Sequence, residues 1–352
     1  MNYAIILAGG VGSRFWPLSR ESQPKQFLNI CSRNTLLKET LYRISSVVSR
    51  KNIYLAGNRI QESKINKCLR GAGIPRANIF FEPCGKNTLA PITVLSRKIY
   101  SGDKEAIIAV LPSDHFIGET ARFSSAIAKA FRVARRGYIV TMGIRPDHPE
   151  TGYGYIKAGP KIKIPKAGPC YRSERFIEKP GIAKAKALIK DRRYYWNSGM
   201  FIFKAEVMLQ EIRRLAPRTY RLTAGINNKK DITKTWPRLA SLYIDYAVME
   251  KTAKAVVLPA DYTWTDLGSW QAWEEIMPKD KRGNIFKGNN CFDLGSSNSL
   301  IWSGRRLVAT VGLRDIIIVD TDDALLVCHR DRAQDVKRLV ESFKKKRLRK
   351  YL

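Results

Sequence analysis

Three stretches of the chain set chemistry-bearing side chains where a backbone turn can aim them. The first is Leu7-Ala8-Gly9-Gly10-Val11-Gly12-Ser13-Arg14-Phe15-Trp16-Pro17-Leu18, continuing to Pro24-Lys25-Gln26-Phe27-Leu28. Glycines allow a backbone to come close to an anion and point its N–H groups at phosphate oxygens. Two common phosphate loops are excluded. No Gly-Lys-Ser/Thr follows, and Phe15 stands where the third glycine of G-x-G-x-x-G belongs. What remains is a glycine loop followed by two cations, Arg14 and Lys25, types that neutralise a triphosphate during phosphoryl or nucleotidyl transfer. A plain turn accounts for the glycines as well.

The second stretch pair holds carboxylates. Asp114, in Leu111-Pro112-Ser113-Asp114-His115, is a hard oxygen donor of the kind Mg2+ shares with phosphates; an Asx turn is the plainer role. Asp266, in Trp264-Thr265-Asp266-Leu267-Gly268-Ser269-Trp270, precedes a helix predicted over 268–276, where an acid usually caps. The third group suits a sugar phosphate. Gly152 and Gly154 around Tyr153 suggest a backbone lying against something flat, a sugar ring or only a bulge. Glu178-Lys179 before Pro180 pairs a hydroxyl acceptor with a phosphate-binding cation, or is an exposed ion pair. The Asn197 amide suits hydroxyls, and Asn-Ser-Gly is also turn chemistry.

The elements needed to position these residues are legible in the first half. Apolar runs predict strands over 3–8, 52–56, 79–82, 106–111 and 138–142, alternating with helices over 35–46, 61–69, 87–100 and 123–134, the third capped by Asn87. That alternation implies βαβ units, hence a Rossmann-like α/β fold: a mixed, mainly parallel sheet with helices on both faces. Ligands then bind at the carboxyl ends of the strands, which points to Gly9 onward, Glu82 onward and Pro112 onward. After Pro278 short apolar runs recur about every ten residues, at 290–294, 299–302, 307–311, 316–319 and 324–328, before a helix over 331–343. They read as a small, β-helix-like module closed by a helix. The expected domains are 1–280, catalytic, and 281–352, the β module with its basic tail.

The charge is the unusual feature of the composition. Sixty-three Lys and Arg against 31 Asp and Glu give +32 over 352 residues, while 44% hydrophobic and 27% charged residues are ordinary for a globular protein. Such an imbalance raises nucleic acid or an acidic membrane as partners. Its distribution argues otherwise: the nets for 1–100, 101–200, 201–300 and 301–352 are +12, +10, +4 and +6. Only 344–350 is a dense basic run, expected to be a solvated or frayed tail. Six cysteines without a C-x-x-C pair exclude zinc-finger and thioredoxin-like spacings. With no signal-peptide leader and no apolar run near the ~20 residues that span a bilayer, the expectation is a cytoplasmic protein that engages no membrane.

The ordered set of motifs resembles a known family. G-G-x-G-x-R-x-x-P-L…P-K after the first strand is similar to the signature of the sugar nucleotidyltransferases, and its extension through Gln26-Phe27-Leu28 resembles the mannose-1-phosphate guanylyltransferases among them. Further matches are Glu82-Pro83-Cys84-Gly85-Lys86-Asn87-Thr88, the Asp114 segment, Thr151-Gly152-Tyr153-Gly154-Tyr155-Ile156, Phe176-Ile177-Glu178-Lys179-Pro180, Trp196-Asn197-Ser198-Gly199-Met200-Phe201, Ile244-Asp245-Tyr246-Ala247-Val248-Met249-Glu250 and the Asp266 segment. They cover residues 1 to about 275.

The resemblance implies transfer of GMP from GTP to mannose 1-phosphate, giving GDP-mannose and pyrophosphate. It assigns catalysis to Arg14 and Lys25, and the nucleotide to Leu7, Ala8, Gly9, Gly10, Gly12, Ser13, Gly85, Asn87, Thr88 and Asp114. The sugar phosphate falls to Gly152, Tyr153, Gly154, Glu178, Lys179, Asn197 and Asp266. Asp114 and Asp266 would hold one Mg2+. Lys86 stands where an Arg is common and Leu89-Ala90-Pro91 reorders the residues that follow, so guanine preference is less firmly implied than the reaction. A sugar phosphate is ionised near neutrality and needs no base, which leaves His115 a structural residue and the cysteines without a nucleophilic role. Some relatives carry a downstream isomerase domain; the expectation here is a single activity, with homodimerisation left open. Another hexose 1-phosphate or nucleoside triphosphate is the nearest alternative. A non-catalytic, basic polyanion-binding protein is the alternative from another class.

Overall fold

The first strand, β1 (Asn2–Ala8), is an apolar run buried on both faces because parallel strands flank it on both edges and helices cover it. The computed structural model describes every residue except Val11, Asn227 and Asn228, and divides into two compact units. One comprises Met1–Gly9 and Leu37–Trp264; the other comprises Gly10–Leu36 and Thr265–Leu352. The strands that follow are β2 (Ile53–Asn58), β3 (Ile79–Glu82), β4 (Ile107–Pro112), β5 (Phe116–Ile117), β6 (Ile139–Ile144), β7 (Tyr155–Ile162), β8 (Cys170–Ile177), β9 (Tyr194–Lys204), β10 (Ala255–Ala260) and β11 (Trp264–Thr265). The helices among them are α1 (Leu36–Ile44), α2 (Glu62–Leu69), α3 (Leu89–Gly102), α4 (Thr120–Ala134), α5 (Ile182–Leu188), α6 (Ala205–Leu215), α7 (Pro217–Ala224) and α8 (Lys229–Thr235).

A nine-stranded sheet, ordered β3-β2-β1-β4-β9-β6-β10-β8-β7, forms the first unit. Its β3-β2-β1-β4 half is parallel, with Ile6 opposite both Leu55 and Leu111. The sheet is mixed because β9 inserts antiparallel between β4 and β6. Ile5, Ile108 and Val110 share one core with Ile92, Leu95 and Ile99 of α3 and with Met208 and Ile212 of α6. Helix α4 covers β4, β6 and β9. The sequence reading and this architecture agree on the Rossmann-like α/β class. They differ at the start of α3, where the cap position belongs to Thr88. Asn87 adopts φ +55° and sends its amide to Ser241 Oγ at 2.9 Å, so it does not cap.

The second unit contains α9 (Trp270–Glu274), β12 (Ile285–Lys287), β13 (Cys291–Leu294), β14 (Leu300–Trp302), β15 (Val308–Val311), β16 (Ile316–Asp320), β17 (Leu325–His329) and α10 (Val336–Lys345). Parallel pairing aligns Ile285, Leu300 and Ile317, while β13 pairs β15 in a second sheet, giving β-helix coils. Antiparallel β17 closes the stack on β16. Residues 10–36 belong to this unit, whereas the sequence separates 1–280 from 281–352. Aromatic packing is the reason: fully buried Phe15 lies 4.9 Å from Trp270, which joins Trp273 and Trp302 in one cluster. Helix α10 extends through Lys345, Lys344 pairs with Glu21 at 2.6 Å, and a turn over Arg349–Tyr351 follows. The run 344–350 is therefore solvated but not frayed. Among the described residues no helix is long and apolar enough to cross a membrane.

Candidate active site

In the first unit the predicted residues gather at the carboxyl ends of strands. Leu7 O accepts the Ser113 N–H at 3.0 Å, which ties the end of β1 to the segment bearing half-buried Asp114. Ala8 lies opposite Gly57, and Gly9 sits beside Glu82, whose Oε1 would be 3.6 Å from a Cβ on that glycine. Glu82 ends β3 and is 6% exposed, and its Oε2 has no protein partner. Burial pushes its carboxyl up to about 7, against one stabilising backbone N–H from Lys86. The Gly85–Thr88 turn docks on residues 237–244: Lys86 donates to Pro237 O, and Thr88 Oγ1 accepts the Ile244 N–H at 2.9 Å. His115 Nδ1 meets Trp264 Nε1 at 3.2 Å, the structural role expected of it.

The residues expected to take the sugar phosphate lie close together. A Cβ on Gly154 would stand 2.4 Å from Glu178 Oε2 and 3.4 Å from Asn197 Cβ, so the missing side chain is what admits the carboxylate. Glu178 pairs with Lys179 at 3.2 Å, Lys179 remaining exposed over the Tyr243 ring. Asn197 is 9% exposed, and its backbone N–H donates to Gly154 O at 2.7 Å. Gly152 N–H donates to Glu150 Oε1 at 2.6 Å. Tyr153 is buried between Trp196 and Trp264, with centroids 5.1 and 4.9 Å away, so its ring is part of the aromatic packing.

Asp245 joins this cluster; it stands within a matching motif of the sequence but carries no role predicted there. It begins a single π-helical turn, Asp245–Met249, and accepts a hydrogen bond from Asn197 Nδ2 at 2.8 Å. Loss of hydration, then the adjacent Glu178 charge, pushes its carboxyl up to about 6. A π turn is rare and concentrates at functional sites.

In the second unit the glycine loop is a braced turn. Gly12 has φ +72°, and a Cβ there would lie 2.4 Å from Lys25 Cβ, so both conformation and space require glycine. Gly12 O accepts from Phe15 N–H at 3.0 Å and Ser19 Oγ at 2.6 Å. Gly10 is exposed, Val11 lies outside the described residues, and Ser13 opens the short turn that carries Arg14, whose Nε is shielded from solvent with no protein partner. Lys25 is 4% exposed and donates to Asp266 O at 2.7 Å and Leu267 O at 3.0 Å. Two of its three N–H donors thus hold the turn bearing Asp266, where Leu267 takes φ +49°. Asp266 is not a cap: Ser269 fills that position, its hydroxyl accepting the Ala272 N–H. The glycine loop and cation pair of this unit, like the carboxylates at the strand ends of the other, are residue types suited to phosphates and their metal ions.

Comparison with known proteins gives the family. The nucleotidyl transferase family matches residues 3–283. The chain belongs to that family. Residues 289–343 of this nucleotidyl transferase match a MannoseP isomerase/GMP-like beta-helix domain, in keeping with the coils of β12–β16. The chain is 40% identical over 348 residues to the Xanthan biosynthesis protein XanB of Xanthomonas campestris pv. campestris, covering 97% of this chain and 73% of that protein. It is 38% identical to Mannose-1-phosphate guanylyltransferase 2 of Escherichia coli O157:H7, covering 99% and 75%. A crystal structure from Thermus thermophilus, described as a mannose-1-phosphate geranyltransferase, superposes with a TM-score of 0.87 at 32% identity, covering 97% of this chain and 99% of that one.

Proposed function

We propose that the chain transfers GMP from GTP to mannose 1-phosphate, releasing pyrophosphate and forming GDP-mannose. The observation that carries this reading is the Gly154–Glu178–Asn197 cluster, with exposed Lys179 paired to Glu178, in a chain 38% identical to a named mannose-1-phosphate guanylyltransferase. An oxygen of the sugar phosphate attacks the α-phosphorus in line as the bond to the β-phosphate oxygen breaks and pyrophosphate departs. Catalysis is positioning and charge neutralisation, with no covalent enzyme intermediate. Lys179 receives the phosphate, Glu178 and Asn197 receive sugar hydroxyls, and the loop from Gly9 to Arg14 receives the triphosphate. Arg14 and Lys25 offset its charge, and Lys25 also orients the Asp266 turn.

Asp114 and Asp266 fit Mg2+ in donor chemistry, each being a half-buried carboxylate. One or two protein carboxylates are what Mg2+ uses when phosphates and waters complete its shell. When bound there it supplies charge neutralisation of phosphoryl oxygens. We assign residues 1–280 to catalysis and 281–352 to the β module. Cytoplasmic placement accords with six cysteines that form no disulfide. Homodimerisation is open to measurement by sedimentation.

A matrix of nucleoside triphosphates against hexose 1-phosphates, read as pyrophosphate release, tests the reading; maximal turnover with any other pair overturns its substrate assignment. D114A is expected to abolish turnover with thermal stability retained. Near-wild-type release would refute the metal role. A polyanion-binding protein would instead bind RNA in a salt-sensitive way and release no pyrophosphate.

A further inference from the structure

We propose that Asp245 is a positioning residue that locks the Asn197 amide into one orientation, so that Asn197 meets the sugar only as a hydrogen-bond donor. The inference rests on the nucleotidyl-transfer reading above and adds to it a determinant of sugar selection.

The argument is a count of donors and acceptors. An amide side chain has two lone pairs on oxygen and two N–H groups. Thr141 Oγ1, on β6, donates to Asn197 Oδ1 at 3.0 Å, and the Gly199 N–H donates to the same oxygen at 3.1 Å. Asn197 Nδ2 donates to Asp245 Oδ1 at 2.8 Å. The oxygen is filled, one N–H is used, and a single N–H is what the amide can give a ligand. The flipped amide is excluded from both ends: a backbone N–H cannot accept, and an ionised carboxylate cannot donate. The charged acceptor also makes the Asn197–Asp245 bond the strongest of the three.

The locked amide sits where a sugar hydroxyl would be read. Its backbone is pinned to Gly154 O, and the Glu178 carboxylate occupies the space beside Gly154. Glu178 accepts where Asn197 donates, so the pair presents opposite hydrogen-bonding character to neighbouring hydroxyls. Such a fixed pattern distinguishes epimers, because a hydroxyl moved between equatorial and axial positions leaves one of the two unmatched. An amide free to turn would accept either arrangement.

The test compares D245A and D245N by steady-state kinetics with mannose 1-phosphate and glucose 1-phosphate at saturating GTP. D245A is expected to raise KM for mannose 1-phosphate about 10-fold or more, the usual scale for a lost hydrogen bond to a charged group. Its kcat and its KM for GTP should stay near wild type, while the preference for mannose 1-phosphate over glucose 1-phosphate shrinks. D245N keeps an oxygen acceptor for Asn197 Nδ2 and should restore most of the KM and the preference. Wild-type KM and preference in D245A would overturn the proposal, as would a uniform loss of kcat, GTP affinity and melting temperature, which marks a merely structural residue. If D245A does not fold, T141V removes a donor to the same amide oxygen from another strand. It should raise the sugar-phosphate KM several-fold, and an unchanged KM overturns the proposal. A wild-type protein inactive with every substrate pair would sink the parent reading instead, so the two failures are separable.

Discussion

In the pocket proposed for the sugar phosphate the polar groups hold one another: the Thr141 hydroxyl, the Gly199 backbone N–H and the Asp245 carboxylate fix the Asn197 amide, and Gly154 makes room for Glu178. The glycine loop is held from outside by aromatic residues and main-chain carbonyls. Trp270 Nε1 donates to Trp16 O at 3.0 Å, Trp273 Nε1 to Ile30 O at 3.1 Å, and Trp16 Nε1 to Tyr351 O at 2.8 Å. Arg20 donates to the same Tyr351 carbonyl and to Asp323 at 2.8 Å, and Trp16 packs edge-on against Phe343 at 5.2 Å. A buried polar network has few alternative partners, so losing one member leaves another unsatisfied. An aromatic brace spreads its energy over many contacts and yields gradually. The loop should therefore be sensitive at its backbone and tolerant in its supports, whereas the pocket should be sensitive at each polar member.

The largest effect expected on the loop side is at Gly12. G12A combines a left-handed backbone, costing about 1–2 kcal/mol for a residue with a Cβ, with an approach of 2.4 Å to Lys25 Cβ. The loop must move, so kcat/KM for GTP should fall at least ~100-fold. Activity within a few-fold of wild type would show that the turn does not need this geometry. On the pocket side, G154A drives a methyl group to 2.4 Å from Glu178 Oε2. KM for mannose 1-phosphate should rise about 10-fold or more while KM for GTP holds, on the scale of one displaced charged hydrogen bond. Equal changes in both constants would erase the contrast between the two regions.

Glu82 tests the cost of keeping an acid in the sheet of the first unit. Its folded pKa of about 7 lies above the ordinary 4.5, so folding favours the protonated form. That stability is fully present below the ordinary value and is lost as pH rises through about 7, up to about 3 kcal/mol in all. E82Q removes the dependence. Calorimetry should find E82Q melting above wild type at pH 8 and the two converging near pH 5. Parallel profiles would mean that Glu82 keeps its ordinary ionisation.

The motifs and the sheet were legible because each depends on local pattern: glycines follow β1, and apolar runs of strand length alternate with helices. Three features were not. Phe15 reads only as the absence of a third glycine, yet it plugs a tryptophan cluster formed by residues far along the chain, at 270 and beyond. Lys25 reads as a cation for triphosphate, but its reach to the Asp266 and Leu267 carbonyls depends on tertiary contact. Asp245 stands in a matching motif without a role, and its value comes from Asn197, a residue 48 positions earlier. Spacing rules find residues that act through neighbours in sequence and miss those that act through neighbours in space.

The smallest expected effect sharpens the contrast from the tolerant side. W16F removes the indole N–H that donates to Tyr351 O but keeps an aromatic ring for the edge contact with Phe343. Arg20 still donates to that carbonyl, so the acceptor is not orphaned and the penalty should stay near the net value of one neutral hydrogen bond, about 1 kcal/mol. Spread over loop position and unit stability, this predicts only a two- to three-fold rise in KM for GTP, roughly half of that free energy, and no change in KM for mannose 1-phosphate. The double variant W16F/R20A leaves Tyr351 O without either donor and should exceed the sum of the single effects, because each donor covers for the other. Additive losses would mean that the two hydrogen bonds act independently, and the loop would then be held by separate points instead of a shared brace.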